Sequence, residues 1–400
     1  MTKRLVVILG LFVTAVALLA ASAAQAGHRS VKVTNVTFAG WSSGPDEDAL
    51  DTQMANAFNR TVGAKEGVHV TWQVINGDYG QAMTARFAAH NAPDVFYVDS
   101  SVIGSWIKQG VIQPLNGYVT KSHFDTKAFY PKLLGAFEKG KTIYGFPKDW
   151  SPLATETNNA LLAQAGVKAP RTWAQLKSDA QAIQQKTSAK HPICLSADWA
   201  RMGAFMYQNG GSITNNLTSS ANAQAVNFYV GLIKSGLAYT PPAGSWCGQE
   251  LGQGHAAIIF EGNWVLPYMK STYPNTHYGV APMVHNKKQG NLAFTVSWSI
   301  AKNDKNKAAA WKVLSWLVGK QGEKIWMSKG LALSPRKDVP SIGGRKPFLA
   351  AAPYAHGWGF GNPNFASAYT VMGNDLNAVI AGSKTTQQML ADVGKALKGK

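Results

Sequence analysis

The chain has 400 residues, 46% apolar and 15% charged, with 39 Lys and Arg against 21 Asp and Glu and a formal net charge of +18. That length and apolar content supply two buried cores, which excludes a disordered chain and a single mini-domain. The positive charge is scattered, densest from Lys302 to Lys307, and no basic helix or interleaved basic and aromatic strand accompanies it, which argues against a nucleic-acid module.

In chain order, Lys3 and Arg4 precede an apolar run from Leu5 to Ala21, and Ala24-Gln25-Ala26 supplies small residues for cleavage. Residues 1–26 therefore read as a signal peptide. The rival reading, a retained anchor, meets a run at the short end of a bilayer span that contains Gly10 and Thr14. The mature chain, from about Gly27, is expected to be exported, periplasmic or extracellular, and not lipid-anchored, because no cysteine follows the run. Cys194 and Cys247 are the two cysteines of the sequence. An oxidising compartment favours a disulfide between them over two separately buried thiols.

Val31 to Phe38 is predicted as a strand, followed by the turn Gly40 to Gly44 and a helix with Pro45 in its first turn. Leu50, Met54 and Phe58 then recur every four residues, giving that helix one apolar face. Val68, Val70, Trp72 and Val74 alternate as in a half-buried strand. Met83 and Phe87 mark a second helix, Val95 to Val98 a third strand, and Val102 to Gln109 a third helix ended by Gly110. Repeated β-α-β units imply a parallel sheet with its ligand beyond the carboxyl ends of the strands. Those ends carry Trp41 and Ser43, Tyr79, and Asp99.

After Pro147 the pattern turns helix-rich, with helices predicted around 161–164, 173–183 and 223–233 and short strands at 192–196 and 256–260. A strand at 294–301 precedes a helical stripe of Trp311, Leu314, Leu317 and Val318, and two helices close the chain at 365–380 and 386–397.

Gly135 to Thr142 fits the phosphate-loop pattern G-x-x-x-x-G-K-[ST]. That loop needs a strand before it and a helix after it, whereas 129–137 reads as helix and Ile143 to Pro147 cannot begin one, so the match is discounted. No catalytic motif and no metal-ligand spacing of His or Cys is present in the sequence. Asp46, Glu47 and Asp48 are read as helix-dipole partners. The sequence holds 13 Trp, and Trp41, Trp150, Trp199, Trp246, Trp264, Trp298 and Trp358 stand among polar or glycine residues. Flat rings beside hydrogen-bonding groups suit a sugar, which has C–H faces and a hydroxyl equator. Trp173, Trp311, Trp316 and Trp326 fall on helical stripes and are assigned to the core.

An ordered series of short motifs runs through the mature chain: Ala92 to Phe96 (APDVF), Gly110 to Leu115 (GVIQPL), Gly140 to Pro147 (GKTIYGFP), Pro170 to Leu176 (PRTWAQL), Gln208 to Gly211 (QNGG), Gly254 to Trp264 (GHAAIIFEGNW), Tyr278 to Pro282 (YGVAP) and Leu333 to Arg336 (LSPR). In this order they resemble family 1 of the extracellular solute-binding proteins of ABC importers, the group with maltose-, oligosaccharide- and glycerol-phosphate-binding members. The resemblance implies an α/β fold of two lobes with a hinge and an interlobe ligand cleft. It places the N-terminal lobe at 27–149 plus about 292–338 and the C-terminal lobe at 150–291 plus about 339–400.

It further implies a monomeric, non-enzymatic protein without cofactor or metal, whose partners are a small carbohydrate and the permease of an importer. A glycerol-phosphate or other acidic polyol is the alternative ligand, and a secreted glycoside hydrolase the alternative of another class. The ligand residues it implies are Trp41, Ser43, Tyr79, Asp99, Trp150, Asn209, Gly210, Gly211, Trp264, Trp298, Trp358 and Tyr369. The chain departs from the family pattern at Thr157-Asn158, where an aromatic usually precedes Asn, and at Asn291 to Phe294, where Gly-Gly is usual.

Overall fold

The computed structural model describes residues 33–359 and 361–400, so the expected signal peptide, residues 1–26, lies outside the described residues. The chain opens with β1 (Thr34–Gly40), β2 (Val68–Val74) and β3 (Val95–Asp99), and β1 pairs in parallel with both others. The intervening helices are Pro45–Phe58, begun by Pro45, and Tyr79–Ala88, capped by the Asp78 carboxylate on the Gln81 N–H. A third, Ile103–Gln109, ends at Gly110, whose φ of 71° suits a residue without Cβ.

The discounted phosphate-loop match lies on a tight hairpin of β4 (Glu138–Lys139) and β5 (Thr142–Ile143), with Gly140 at φ 63° in the turn. No helix follows it, so no row of helix N-terminal amides faces an anion there.

The remaining strands are β6 (Phe146–Asn158), β7 (Ile193–Cys194), β8 (Ala238–Tyr239), β9 (Ile258–Gly262), β10 (Tyr278–Ala281), β11 (Asn291–Ile300) and β12 (Ala355–Gly357). The main order is β2-β1-β3-β11-β6-β9-β7-β8, with β10 on β6 and β12 on β11. β6 is the pivot of this arrangement. Its first part, to Pro152, pairs with β11, and its second, from Leu153, pairs with β9. β11 pairs with β3 through Val296 to Ile300. These two long strands therefore run from one half of the molecule into the other.

Two α/β lobes result. One core gathers Phe38, Phe58, Trp298 and Trp311. The other gathers Phe205, Tyr229, Ile258, Phe365 and Leu390. A smaller cluster around Ala154, Ile259 and Val265 includes the Cys194–Cys247 disulfide, whose Cα atoms are 5.4 Å apart. Among the described residues no helix is long and apolar enough to cross a membrane.

The sequence reading missed β6 and the helix Trp199–Gln208, for different reasons. β6 carries Pro147, Pro152 and charged residues, which usually demote a strand; Pro147 is tolerated because it stands beside a register shift opposite Ser297. The helix buries nearly all its residues, so it has no polar face to reveal a period of 3.6.

Candidate ligand-binding cleft

A cavity of about 450 Å³ lies between the lobes in front of β6 and β11. The N-terminal lobe contributes Trp41 and Ser43 from the turn after β1, Glu47 from the first turn of the next helix, Asp99 from the end of β3, and Trp326. The C-terminal lobe contributes Trp246, Trp264 and Tyr268. The pivot strands supply the back wall: Lys148 to Ser151 on β6 and Phe294 to Val296 on β11. Two hydrogen bonds bridge the lobes beside the cavity, from Asn263 Nδ2 to Gly330 O at 2.9 Å and from Ser100 Oγ to Trp358 O at 2.8 Å.

Each ring is held by its neighbours. Trp41 meets Tyr79 edge-on at 5.1 Å and Tyr97 at 5.0 Å between centroids. Trp264 donates its indole N–H to Glu261 at 3.0 Å and packs against Phe294 at 6.0 Å. Arg201 fixes Glu261 in turn, Nη2 to Oε2 at 2.6 Å. Burial opposes the Arg201 charge, but Glu261 and Asp198 outweigh it and raise the guanidinium above its ordinary range. Trp246 stacks at a tilt on Tyr268, 4.7 Å away, and sits one residue before the disulfide cysteine Cys247. Trp150 donates to Ser334 O at 3.2 Å.

The polar groups cluster on the N-terminal wall. Lys148 Nζ donates to Asp149 Oδ2 and lies 3.7 Å from Glu47 Oε1. Glu47 also accepts from the Ser43 N–H at 2.8 Å and the Tyr97 hydroxyl at 3.2 Å. Behind it Asp51, fully buried, accepts from Tyr97 at 3.0 Å. Burial pushes the Asp51 carboxyl well above its ordinary value against the pull of Lys148. Burial likewise raises Asp99, with Asp149 adding repulsion and the Ser101 N–H and hydroxyl partly offsetting both. Polar acceptors and aromatic rings thus line one cavity, the combination that suits a polyhydroxylated ligand.

Of the residues expected from sequence, Trp41, Ser43, Asp99, Trp150 and Trp264 line this cavity. Tyr79 does not: its hydroxyl donates to Tyr97 O at 2.8 Å, and it supports Trp41 from behind. The expectation for Trp298 is corrected, because it is 1% exposed in the N-terminal core, 4.4 Å from the Tyr97 centroid. That for Asn209, Gly210 and Gly211 is corrected too. Asn209 is buried at the end of the helix Trp199–Gln208, bonded to Ala221 O and Asn286. A Cβ on Gly211 would meet the Asn222 amide, so these residues seal a helix end.

Trp358 is buried among Trp199, Phe294 and Phe365, and touches the cavity only through Phe294. Tyr369 meets Trp358 edge-on at 5.4 Å and remains 37% exposed, with its hydroxyl pushed up to about 12 by burial and then by Asp198. Trp199 belongs wholly to the C-terminal core. Among the described residues no group of acidic, His or Cys side chains is arranged to hold a metal ion.

Sequence reasoning missed Glu47, Lys148, Asp149, Tyr268 and Trp326 as lining residues. By sequence Glu47 is a helix-dipole partner and Trp326 a core residue. Trp326 is indeed 2% exposed, yet one edge reaches the cavity. The available signal was the pair Lys148-Asp149 next to Trp150, an unusual concentration of charge in a buried strand.

The model of the bacterial extracellular solute-binding protein family matches residues 41–324. A binding protein of Brucella abortus is 27% identical over 283 residues, covering 66% of this chain and 66% of its own length, so the match spans about two thirds of that relative. In structure, the chain is similar to an ABC substrate-binding protein from Listeria monocytogenes in complex with cycloalternan, with a TM-score of 0.82 and 20% identity over 92% of this chain and 98% of that one. It is similar also to UgpB from Mycobacterium tuberculosis in complex with glycerophosphocholine, with a TM-score of 0.80 and 17% identity over 91% and 98% of the two chains.

Proposed function

The chain belongs to the bacterial extracellular solute-binding protein family, and from that premise we propose that it captures a neutral sugar or short oligosaccharide for an ABC importer. The observation that carries this reading is the cleft itself. Trp41 and Trp326 from one lobe and Trp246 and Trp264 from the other line one cavity, with Glu47, Asp99 and Asp149 as hydroxyl acceptors. A solute touching both lobes favours the closed state by its differential affinity, and the closed form is the one presented to the permease. The volume of about 450 Å³ sits low in the usual range of about 300–1,000 Å³ for small-molecule sites, which suits one or two sugar rings.

The net charge of +18 would favour an acidic polyol, but the cleft does not carry that charge. Its lining has three carboxylates and one cation, Lys148, which Asp149 and Glu47 already occupy. A phosphate placed there meets repulsion and no free cation. A glycoside hydrolase needs acids flanking the scissile bond, whereas here all three carboxylates come from the N-terminal lobe or the pivot strand and none of the C-terminal lining residues is acidic. On this reading the protein is an exported monomer that binds without turnover. A thermal-shift screen of sugars and phosphorylated polyols tests this: a neutral sugar raises the melting temperature. Stabilisation by phosphorylated compounds alone overturns it.

A further inference from the structure

A second and larger cavity, about 1210 Å³, lies behind the pivot strands. Successive residues of a strand face opposite sides, and Ala293 of β11 lines this groove while Phe294 lines the cleft. Its apolar lining includes Tyr130, Leu133, Val339, Leu349 and Ala352, with His356 among them. Tyr130 and Leu349 are each 45% exposed, so the groove presents apolar surface to solvent.

The charged side chains lining the groove are all basic: Lys132, Arg336 and Lys337. Arg336 is committed to Asp338 at 2.8 and 3.0 Å and to Val318 O at 3.0 Å. Lys337 donates to a backbone carbonyl, and Lys132 forms no ion pair among the described residues. The His356 ring lies flat on Tyr207 with centroids 3.8 Å apart. Burial lowers its proton affinity first, and then the charges of Lys288 and Lys132 do so. Asp338 neutralises Arg336, so the excess positive charge in the groove comes from Lys132 and Lys337.

We propose that this groove is a second ligand site, for an organic anion with an apolar body. The apolar lining takes the body, and Lys132 with Lys337 takes the anionic head. An inorganic anion gains nothing from Tyr130 and Leu349, and an apolar cation meets the lysines. The site does not depend on the sugar reading, since Trp150 alone borders both cavities.

Calorimetric titration of the full mature chain with octanoate tests it, with acetate and octylammonium as comparators. Octanoate should bind one to one, and neither comparator should bind at the same concentration. Both Lys132→Glu and Leu349→Gln alter exposed positions, and each should weaken octanoate by about fivefold or more with an unchanged melting temperature. Trp264→Ala, in the cleft, should leave octanoate binding intact. The proposal is overturned if octanoate fails to bind at millimolar concentration, if Lys132→Glu binds it as the parent does, or if Trp264→Ala abolishes its binding. In the last case the anion occupies the cleft, and the neutral-sugar reading is what then fails.

Discussion

The ammonium of Lys148 lies 3.7 Å from the ring centroid of Trp326, at the wall of the cleft. The Tyr97 ring is 4.4 Å away, so the charge sits between two π faces while Asp149 and Glu47 neutralise it. This contact joins the pivot strand to the N-terminal lobe and fixes which polar atoms the cavity presents.

Replacing Lys148 by Met removes the cation and leaves two buried carboxylates facing each other. Loss of one partner from a buried ion pair costs about 3–5 kcal/mol. Chemical denaturation should show a drop of that order, and Lys148→Arg, which keeps the charge, should lose less.

Tryptophans of the cleft and of the core should separate cleanly. Trp264→Ala should weaken sugar binding by about 2 kcal/mol, roughly 30-fold, as removal of a central aromatic anchor does. Trp298→Phe, inside the N-terminal core, should lower stability by about 1–3 kcal/mol and leave affinity nearly unchanged. Calorimetry on both variants checks the contrast.

The disulfide closes a span of 53 residues, for which chain entropy gives a stabilisation of about 4 kcal/mol. Cys194→Ala with Cys247→Ala should lower the melting temperature accordingly. It should also weaken the ligand, because Trp246 adjoins Cys247 at the start of the helix Cys247–Gly252.

Asp304 has its carboxyl raised to about 7 by burial and by Asp94, with Lys307 opposing. His90 and Lys305 line the same small cavity. A raised pKa in the folded state means that the native form binds a proton the unfolded chain has lost. Its stabilising contribution is complete below the unfolded value near pH 4 and disappears as pH rises through about 7. Asp304→Asn should flatten the fall in melting temperature over that interval.

The N-terminal half was legible in the sequence because each element there has one face to core and one to water. Leu50, Met54 and Phe58 mark the helix, and Val68 and Val70 the strand, by ordinary periodicity. The pivot strands were not legible, since β6 is buried along its whole length and its charges are answered by groups distant in sequence, the Glu47 carboxylate for Lys148 and the Glu261 backbone N–H for Glu156. Of the residues lining the cavity, Trp41, Trp150 and Trp264 stand in polar surroundings in the sequence, and Asp99 stands at a strand end. Trp298 shares those surroundings, Ser297 and Ser299, yet its ring points into the core. Neighbours in sequence do not disclose which face of a buried strand a side chain occupies. Only the register does.

The most direct test is calorimetric titration of the mature chain with the best neutral sugar at low and high salt, with the ligand recovered afterwards. One intact ligand per chain, bound with nearly the same affinity at both salt concentrations, is the predicted result. Binding confined to phosphorylated ligands and lost steeply with salt would contradict the account, as would recovery of a cleaved sugar.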